Sequence, residues 1–244
     1  MRYTLKDYQD DAVGDVLRNL ADARDDWHRR ERKVAFSLTA TTGAGKTVMA
    51  SAVIESLFHG NADFDFEPDS GAVVLWFTDD PSLNEQTRFR LLDAGDRIAH
   101  SRLVVIENTF DQEKLEPGRV YFLNRQKLSK TARLVRNAPE SLQQSLEGIA
   151  PPDGRAFRIW DTLANTIGDE RLTLYLILDE AHRGMKSPTS EERAEKATIV
   201  QRLINGADRV PAVPIVWGIS ATVERFNDAM SVAADRTTYP PVEV

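Results

Sequence analysis

Ala40-Thr41-Thr42-Gly43-Ala44-Gly45-Lys46-Thr47 is the stretch whose reading decides the fold. An apolar run, Val34-Ala35-Phe36-Ser37-Leu38-Thr39, leads into it, and a helical pattern, Val48-Met49-Ala50-Ser51-Ala52-Val53-Ile54, leads out. Strand, glycine-containing loop, Gly-Lys-Thr and helix is the setting in which a phosphate-binding loop works. Gly43 and Gly45 let the backbone of Thr41, Thr42 and Ala44 turn its N–H groups inward, and the helix start adds partial positive charge. Lys46 is then placed to reach the β- and γ-phosphates of a nucleotide, and the Thr47 hydroxyl to sit on Mg²⁺. The strict pattern begins with glycine, where this chain has Ala40. The competing reading is an ordinary glycine-containing turn between strand and helix.

Working outward, 244 residues is a normal length for a single α/β layer structure, and 41% hydrophobic with 28% charged content describes a soluble globular protein. There are no cysteines, so disulfides and thiolate metal sites are excluded and a cytoplasmic setting is expected. No apolar stretch is long enough to span a membrane, and no membrane partner is expected. A net charge of −7 argues against coating nucleic acid through bulk positive charge and leaves room for a local basic track.

Residues 5–32 read as one amphipathic helix, with Val13, Val16, Leu17 and Leu20 at helical spacing. Further strands are expected at 72–78, 103–106, 120–123, 172–178 and 213–219, with helices at 83–92 and 190–205 between them. Prolines 139, 151 and 152 with Gly154 break the pattern, so 132–171 reads as an insertion of short helices. Strands alternating with helices predict a three-layer α/β domain whose mainly parallel sheet is covered on both faces. Tyr239-Pro240-Pro241-Val242-Glu243-Val244 reads as a linker.

The most apolar strand ends in Asp179-Glu180-Ala181-His182. A carboxylate pair at a strand's C-terminal end, following a phosphate loop, suits nucleotide hydrolysis: Asp179 for Mg²⁺ and Glu180 to polarise the attacking water. A strand ending in Asp-Glu is otherwise an ordinary structural feature.

These residues resemble superfamily 2 helicases. Gly43-Ala44-Gly45-Lys46-Thr47, Asp179-Glu180-Ala181-His182 and Ser220-Ala221-Thr222 look like motifs I, II and III, in that order. Leu75-Trp76-Phe77-Thr78-Asp79-Asp80-Pro81-Ser82-Leu83-Asn84-Glu85-Gln86-Thr87 and the run through Arg183-Gly184-Met185 resemble the restriction-enzyme motors, with the Res subunit of type III restriction enzymes as the nearest match. The resemblance implies one RecA-like P-loop NTPase domain over 1–244, the first of two in such a motor. It implies ATP and Mg²⁺ as cofactors, with Lys46, Asp179 and Glu180 catalytic. Gln9, behind Tyr8, matches the segment that recognises adenine, which an amide can do by donating and accepting; its other reading is a polar residue on an exposed helix face. His182, Ser220 and Thr222 match the set that links the γ-phosphate to domain movement, with the motif III strand between those of motifs I and II. The other reading of His182 is a plain surface histidine.

Residues 119–136 hold Arg119, Arg125, Lys127, Lys130, Arg133 and Arg136 and no acid. Within them Asn124, Arg125, Gln126, Lys127 and Lys130, with Thr78 from motif Ia, resemble the family's strand-contacting residues, suited to backbone tracking along double-stranded DNA. A solvated face is the alternative, and Tyr121 and Phe122 read as core.

The function expected from the resemblance is an ATP-driven DNA translocase of restriction type, with a modification or target-recognition subunit as a further partner. A repair helicase and a nucleotide-gated binding module are the other readings; Glu180 favours hydrolysis over the module. Since neither Arg225 nor Arg236 sits in anything resembling motif VI, these residues alone are expected to be a weak or inactive ATPase.

Overall fold

The computed structural model describes residues 1–78, 81–129, 132–135, 154–179, 199–207, 209–231, 233 and 235–244, without the side chains of 225, 228 and 229. Lys130, Glu180, His182 and Arg136 therefore lie outside the described residues.

Helix α1 (Asp7–Arg30) buries Val13, Val16, Leu17 and Leu20 and ends where Glu31 turns left-handed. Acids in its first turn and arginines in its last complement the helix dipole. Strand β1 (Lys33–Thr39) leads into the glycine loop and α2 (Lys46–His59), which is buried from Met49 to Leu57. Then come β2 (Ala72–Thr78), α3 (Pro81–Ala94) opening on a proline, β3 (Leu103–Val105), β4 (Arg119–Asn124) and the single turn α4 (Arg125–Leu128). Helix α5 (Ile159–Ile167), β5 (Thr173–Asp179), a helical stretch at 199–205, β6 (Ile215–Ser220) and α6 (Val223–Met230) follow, and β7 (Arg236–Thr238) and β8 (Val242–Glu243) end the chain.

The strands form one sheet in the order β3-β4-β2-β5-β6-β1-β7, with β8 also on β1, and every pair runs parallel. Alternate residues of each strand serve opposite faces. Phe36, Leu38, Val74 and Trp76 pack with α1 and α2, while Ala35, Leu75, Phe77 and Leu178 pack with Leu163 of α5, Leu203 and Phe226 of α6. Two covered faces explain why the strands read as unbroken apolar runs. Within 132–171, where short helices are expected, the short helix α5 covers one face of the sheet, and 136–153 lie outside the described residues.

The linker expected at 239–244 is instead the edge of the sheet. β7 pairs with Lys33–Ala35 and β8 with Leu38 and Thr39, and Pro240-Pro241 interrupts only this edge, where a missing N–H is tolerated. The main-chain N–H of Tyr239 donates to Ala35 at 2.9 Å, and that of Val244 donates to Thr39 at 2.8 Å. The Arg236 guanidinium donates to the carbonyls of Val34, Pro214, Ile204 and Val213, and burial pushes its pKa down to about 10. A charge held by main-chain carbonyls ties the tail to three neighbouring elements.

Candidate nucleotide site

After β1 the chain crosses two strands, β6 and β5, before β2 begins. The C-terminal ends of β1, β6, β5 and β2 therefore converge where an open α/β sheet binds its ligand. The register sets Thr39 beside Ser220 and Asp179 beside Ile219. The expectation that the motif III strand lies between those of motifs I and II is met.

Gly43 and Gly45 stand at φ +92 and +87, and a Cβ on Gly43 would meet nothing within 4 Å, so the loop faces open space. Ala40 is tied to motif III by its N–H donating to the Ser220 carbonyl at 3.1 Å. Within the loop, Ala44 N–H donates to Thr41 at 3.2 Å. Helix α2 starts at Lys46 with Gly45 as cap and no side-chain capping bond. The N–H groups of a helix's first turn have no partner within the helix and are suited to an anion. The Lys46 ammonium meanwhile donates to the carbonyls of Ala40 at 2.6 Å and Thr41 at 3.3 Å.

Among the described residues, openings adjoin the loop in two places. One, of about 520 Å³, is lined by Tyr3, Thr42, Gly43, Lys46, Thr47 and Arg90. The other, of about 180 Å³, brings Lys46, Thr47, Trp76, Thr87, Arg90 and Asp179 together. Hydroxyl and carboxylate oxygens beside an ammonium fit Mg²⁺ bound with phosphates, since Mg²⁺ takes few protein ligands and completes its shell with phosphate and water. Another cavity, of about 810 Å³, lies along α1 and is lined by Asp7, Asp10, Asp11, Glu55 and Asp63. Its carboxylates would repel phosphates, so it does not compete for this role.

Gln9 is not on an exposed face: it is 8% exposed and lies against the loop. Its Oε1 accepts from the Lys6 N–H at 3.1 Å and its Nε2 donates to the Ala44 carbonyl at 2.8 Å. The Tyr8 hydroxyl donates to the same carbonyl at 3.3 Å. Ser220 is fully buried, and its Oγ accepts from the Thr222 N–H at 3.1 Å.

The expected nucleic-acid residues are not gathered in the same way. Thr78 and Asn124, 0% and 4% exposed, have their side chains turned inward. Thr78 Oγ1 donates to Asn84 Oδ1 at 2.7 Å, and Asn124 Oδ1 caps α4 by accepting from the Lys127 N–H at 3.2 Å. Arg125 is half-buried, Gln126 is exposed, and Lys127 pairs with Glu107 at 2.8 Å. The stretch has no acid of its own, but Glu107 and Glu116 reach it from the preceding loop, Glu116 pairing with Arg119 at 2.7 Å. Tyr121 and Phe122 are core, as expected.

Sequence reasoning missed Tyr3, Trp76 and Arg90. Trp76 sits within a strand that reads as core throughout, and Arg90 on a helix with ordinary surface composition. Only the packing of α3 against α2 brings Arg90 to the loop.

A glycine loop at the switch point of a parallel sheet, with an acidic strand end one strand beyond Ser220, defines a RecA-like α/β domain. The family described as "Type III restriction enzyme, res subunit" matches residues 2–225, and the chain belongs to that family. No curated protein matches it. Among solved structures it is similar to Saccharomyces cerevisiae Dbp5 bound to RNA and ADP BeF3, at 13% identity over 89% of this chain and 44% of that one, with TM-score 0.44. A single-residue variant of Dbp5 in the same complex gives 13% identity, 96% and 49% coverage and TM-score 0.44. The chain spans about half the length of these proteins or less.

Proposed function

We propose that the chain binds ATP with Mg²⁺ at the mouth of the phosphate loop and hydrolyses it as the first RecA-like domain of a DNA translocase of restriction type. The observation that carries this reading is the single opening that Lys46, Thr47 and Asp179 share. On nucleotide binding, Lys46 exchanges its loop carbonyls for β- and γ-phosphate oxygens, a stronger charge-assisted interaction. Thr47 and Asp179 hold the metal, which supplies neutralisation of charge on the transferring phosphoryl group. Glu180, next in sequence after Asp179, orients and polarises the attacking water. Gln9 reads the adenine edge with the hydrogen-bonding capacity that its bonds to Lys6 and Ala44 leave, since an amide has two donors and two acceptor lone pairs. Ser220, Thr222 and His182 transmit the state of the γ-phosphate. The basic residues of 119–136 meet DNA phosphates.

A fluorescent ATP analogue titrated against Lys46→Ala and Glu180→Gln tests this. Lys46→Ala removes charge-assisted hydrogen bonds of about 1.5–3 kcal/mol each, so affinity falls at least tenfold. Glu180→Gln binds as the wild type does, and in the full-length protein it loses phosphate release. Wild-type affinity in Lys46→Ala would remove the phosphate-loop assignment.

A further inference from the structure

Trp76 lies one strand away from Asp179, and its indole Nε1 donates to Asp179 Oδ2 at 3.2 Å. The ring is 1% exposed and is packed against Phe122 of β4, with centroids 6.2 Å apart. Even so, Trp76 borders the same opening as Thr47, Lys46 and Asp179. We propose that Trp76 is the positioning residue for the Asp179 carboxylate, fixing its orientation toward the metal through a neutral N–H donor. This rests on the nucleotide reading above.

The physical case has three parts. A carboxylate at a strand end turns about a broad, shallow terminal torsion, so its orientation needs an outside donor. Indole N–H only donates, so it binds the carboxylate and never competes as a ligand for the cation. It is also neutral: a lysine or arginine in its place would set a second positive charge beside the metal, whereas the indole leaves the carboxylate's charge to it. A carboxylate has about four lone-pair sites, and the bond from Trp76 takes only one of them. Burying an indole N–H without a partner is costly, so the tryptophan and the carboxylate satisfy each other. Partners of this kind typically change metal affinity by about 10–100-fold when removed.

The test is nuclear magnetic resonance on the ¹⁵N-indole-labelled chain, which has four tryptophans. Trp76→Phe identifies the Trp76 resonance by its loss. Without metal, Asp179→Asn should shift that resonance upfield of its wild-type position. In the wild type, Mn²⁺ with ADP should broaden it more than the other three. In parallel, fluorescent ADP is titrated at varied Mg²⁺. Trp76→Phe should raise the Mg²⁺ needed for half-saturation about 10–100-fold and leave affinity in chelator unchanged. Phe122→Leu, which loosens the same packing but keeps the N–H, should leave the Mg²⁺ requirement near wild type. Nucleotide binding with an unchanged Mg²⁺ requirement in Trp76→Phe, or equal broadening of all four indoles, overturns the positioning role alone. A wild-type chain that binds no nucleotide at any metal concentration overturns the nucleotide reading, and the positioning role with it.

Discussion

The side-chain amide of Gln9 donates to the main-chain carbonyl of Ala44 at 2.8 Å, so the start of α1 and the phosphate loop are one mechanical unit. The approach is close: a Cβ on Gly45 would stand 2.4 Å from Gln9 Nε2. Gly45 is also left-handed, at φ +87.

Gly45→Ala should therefore cost more than Gly43→Ala. Both substitutions put a side chain where the left-handed backbone disfavours one, at about 1–2 kcal/mol. Only Gly45→Ala also displaces Gln9, because a Cβ on Gly43 meets open space. Thermal unfolding and nucleotide titration of the two variants check this. Gly45→Ala should melt lower and lose more affinity; equal behaviour would mean that Gln9 and the loop are uncoupled.

The strands and the loop were legible because a sheet covered on both faces leaves apolar runs, and the loop needs its glycines and lysine in fixed order. The edge at 236–244 was not legible: Pro240-Pro241 has the composition of a linker, and only the long-range pairing with β1 makes the segment a strand. The burial of Thr78 and Asn124 was not legible for a related reason. A polar residue at a strand end is as useful for fastening the next helix as for touching a ligand, and spacing does not distinguish these uses. Trp76 was hidden by a different cause, since an aromatic residue within an apolar strand reads as core and its one polar atom is aimed by the neighbouring strand.

Changing Lys127, Lys130 and Arg133 to Glu should weaken binding to duplex DNA and flatten its dependence on salt. Removing one phosphate interaction reduces the slope of log affinity against log salt by about 0.9. Because Glu107 holds Lys127 at 2.8 Å, Glu107→Gln should act the other way and strengthen binding. Affinities measured across a salt series decide it. An unchanged slope in the triple variant would return 119–136 to a solvated face.

The docked tail gives a pH signature. The Tyr239 hydroxyl donates to Asp26 Oδ2 at 2.8 Å. Burial and the Asp26 carboxylate raise the pKa of Tyr239 above its ordinary value, and the hydrogen bond from Tyr239 lowers that of Asp26. A raised phenol contributes stability that is fully present below the free value near 10 and is lost as pH rises through the folded one. A depressed carboxylate contributes stability present above its free value and lost as pH falls through the folded one. Tyr239→Phe should lower the melting midpoint near neutral pH, by at most roughly 2–4 °C, with the difference shrinking in strong acid and strong alkali. A difference that is the same at every pH would show that the pair does not act through its charge.

These 244 residues by themselves should turn over ATP barely and move nothing. The family resemblance gives the γ-phosphate an arginine from a second RecA-like domain, and arginines in that role contribute on the order of 10³- to 10⁵-fold to turnover. Within this chain Arg236 cannot take the part, because its guanidinium is held by the carbonyls of Val34, Pro214, Ile204 and Val213 inside the sheet edge. Arg90 borders the loop and is exposed, so it can add to nucleotide affinity. It stands on α3, which packs against α2 of the same domain, and so does not arrive from across a cleft as a closing domain does. Arg90→Ala should accordingly weaken nucleotide binding and leave the low basal rate at saturating ATP unchanged. Steady-state phosphate release, with and without duplex DNA, measures both. Robust DNA-stimulated turnover by the 244 residues would show that one domain supplies every charge the reaction needs, and a collapse of the saturated rate in Arg90→Ala would identify where that charge comes from.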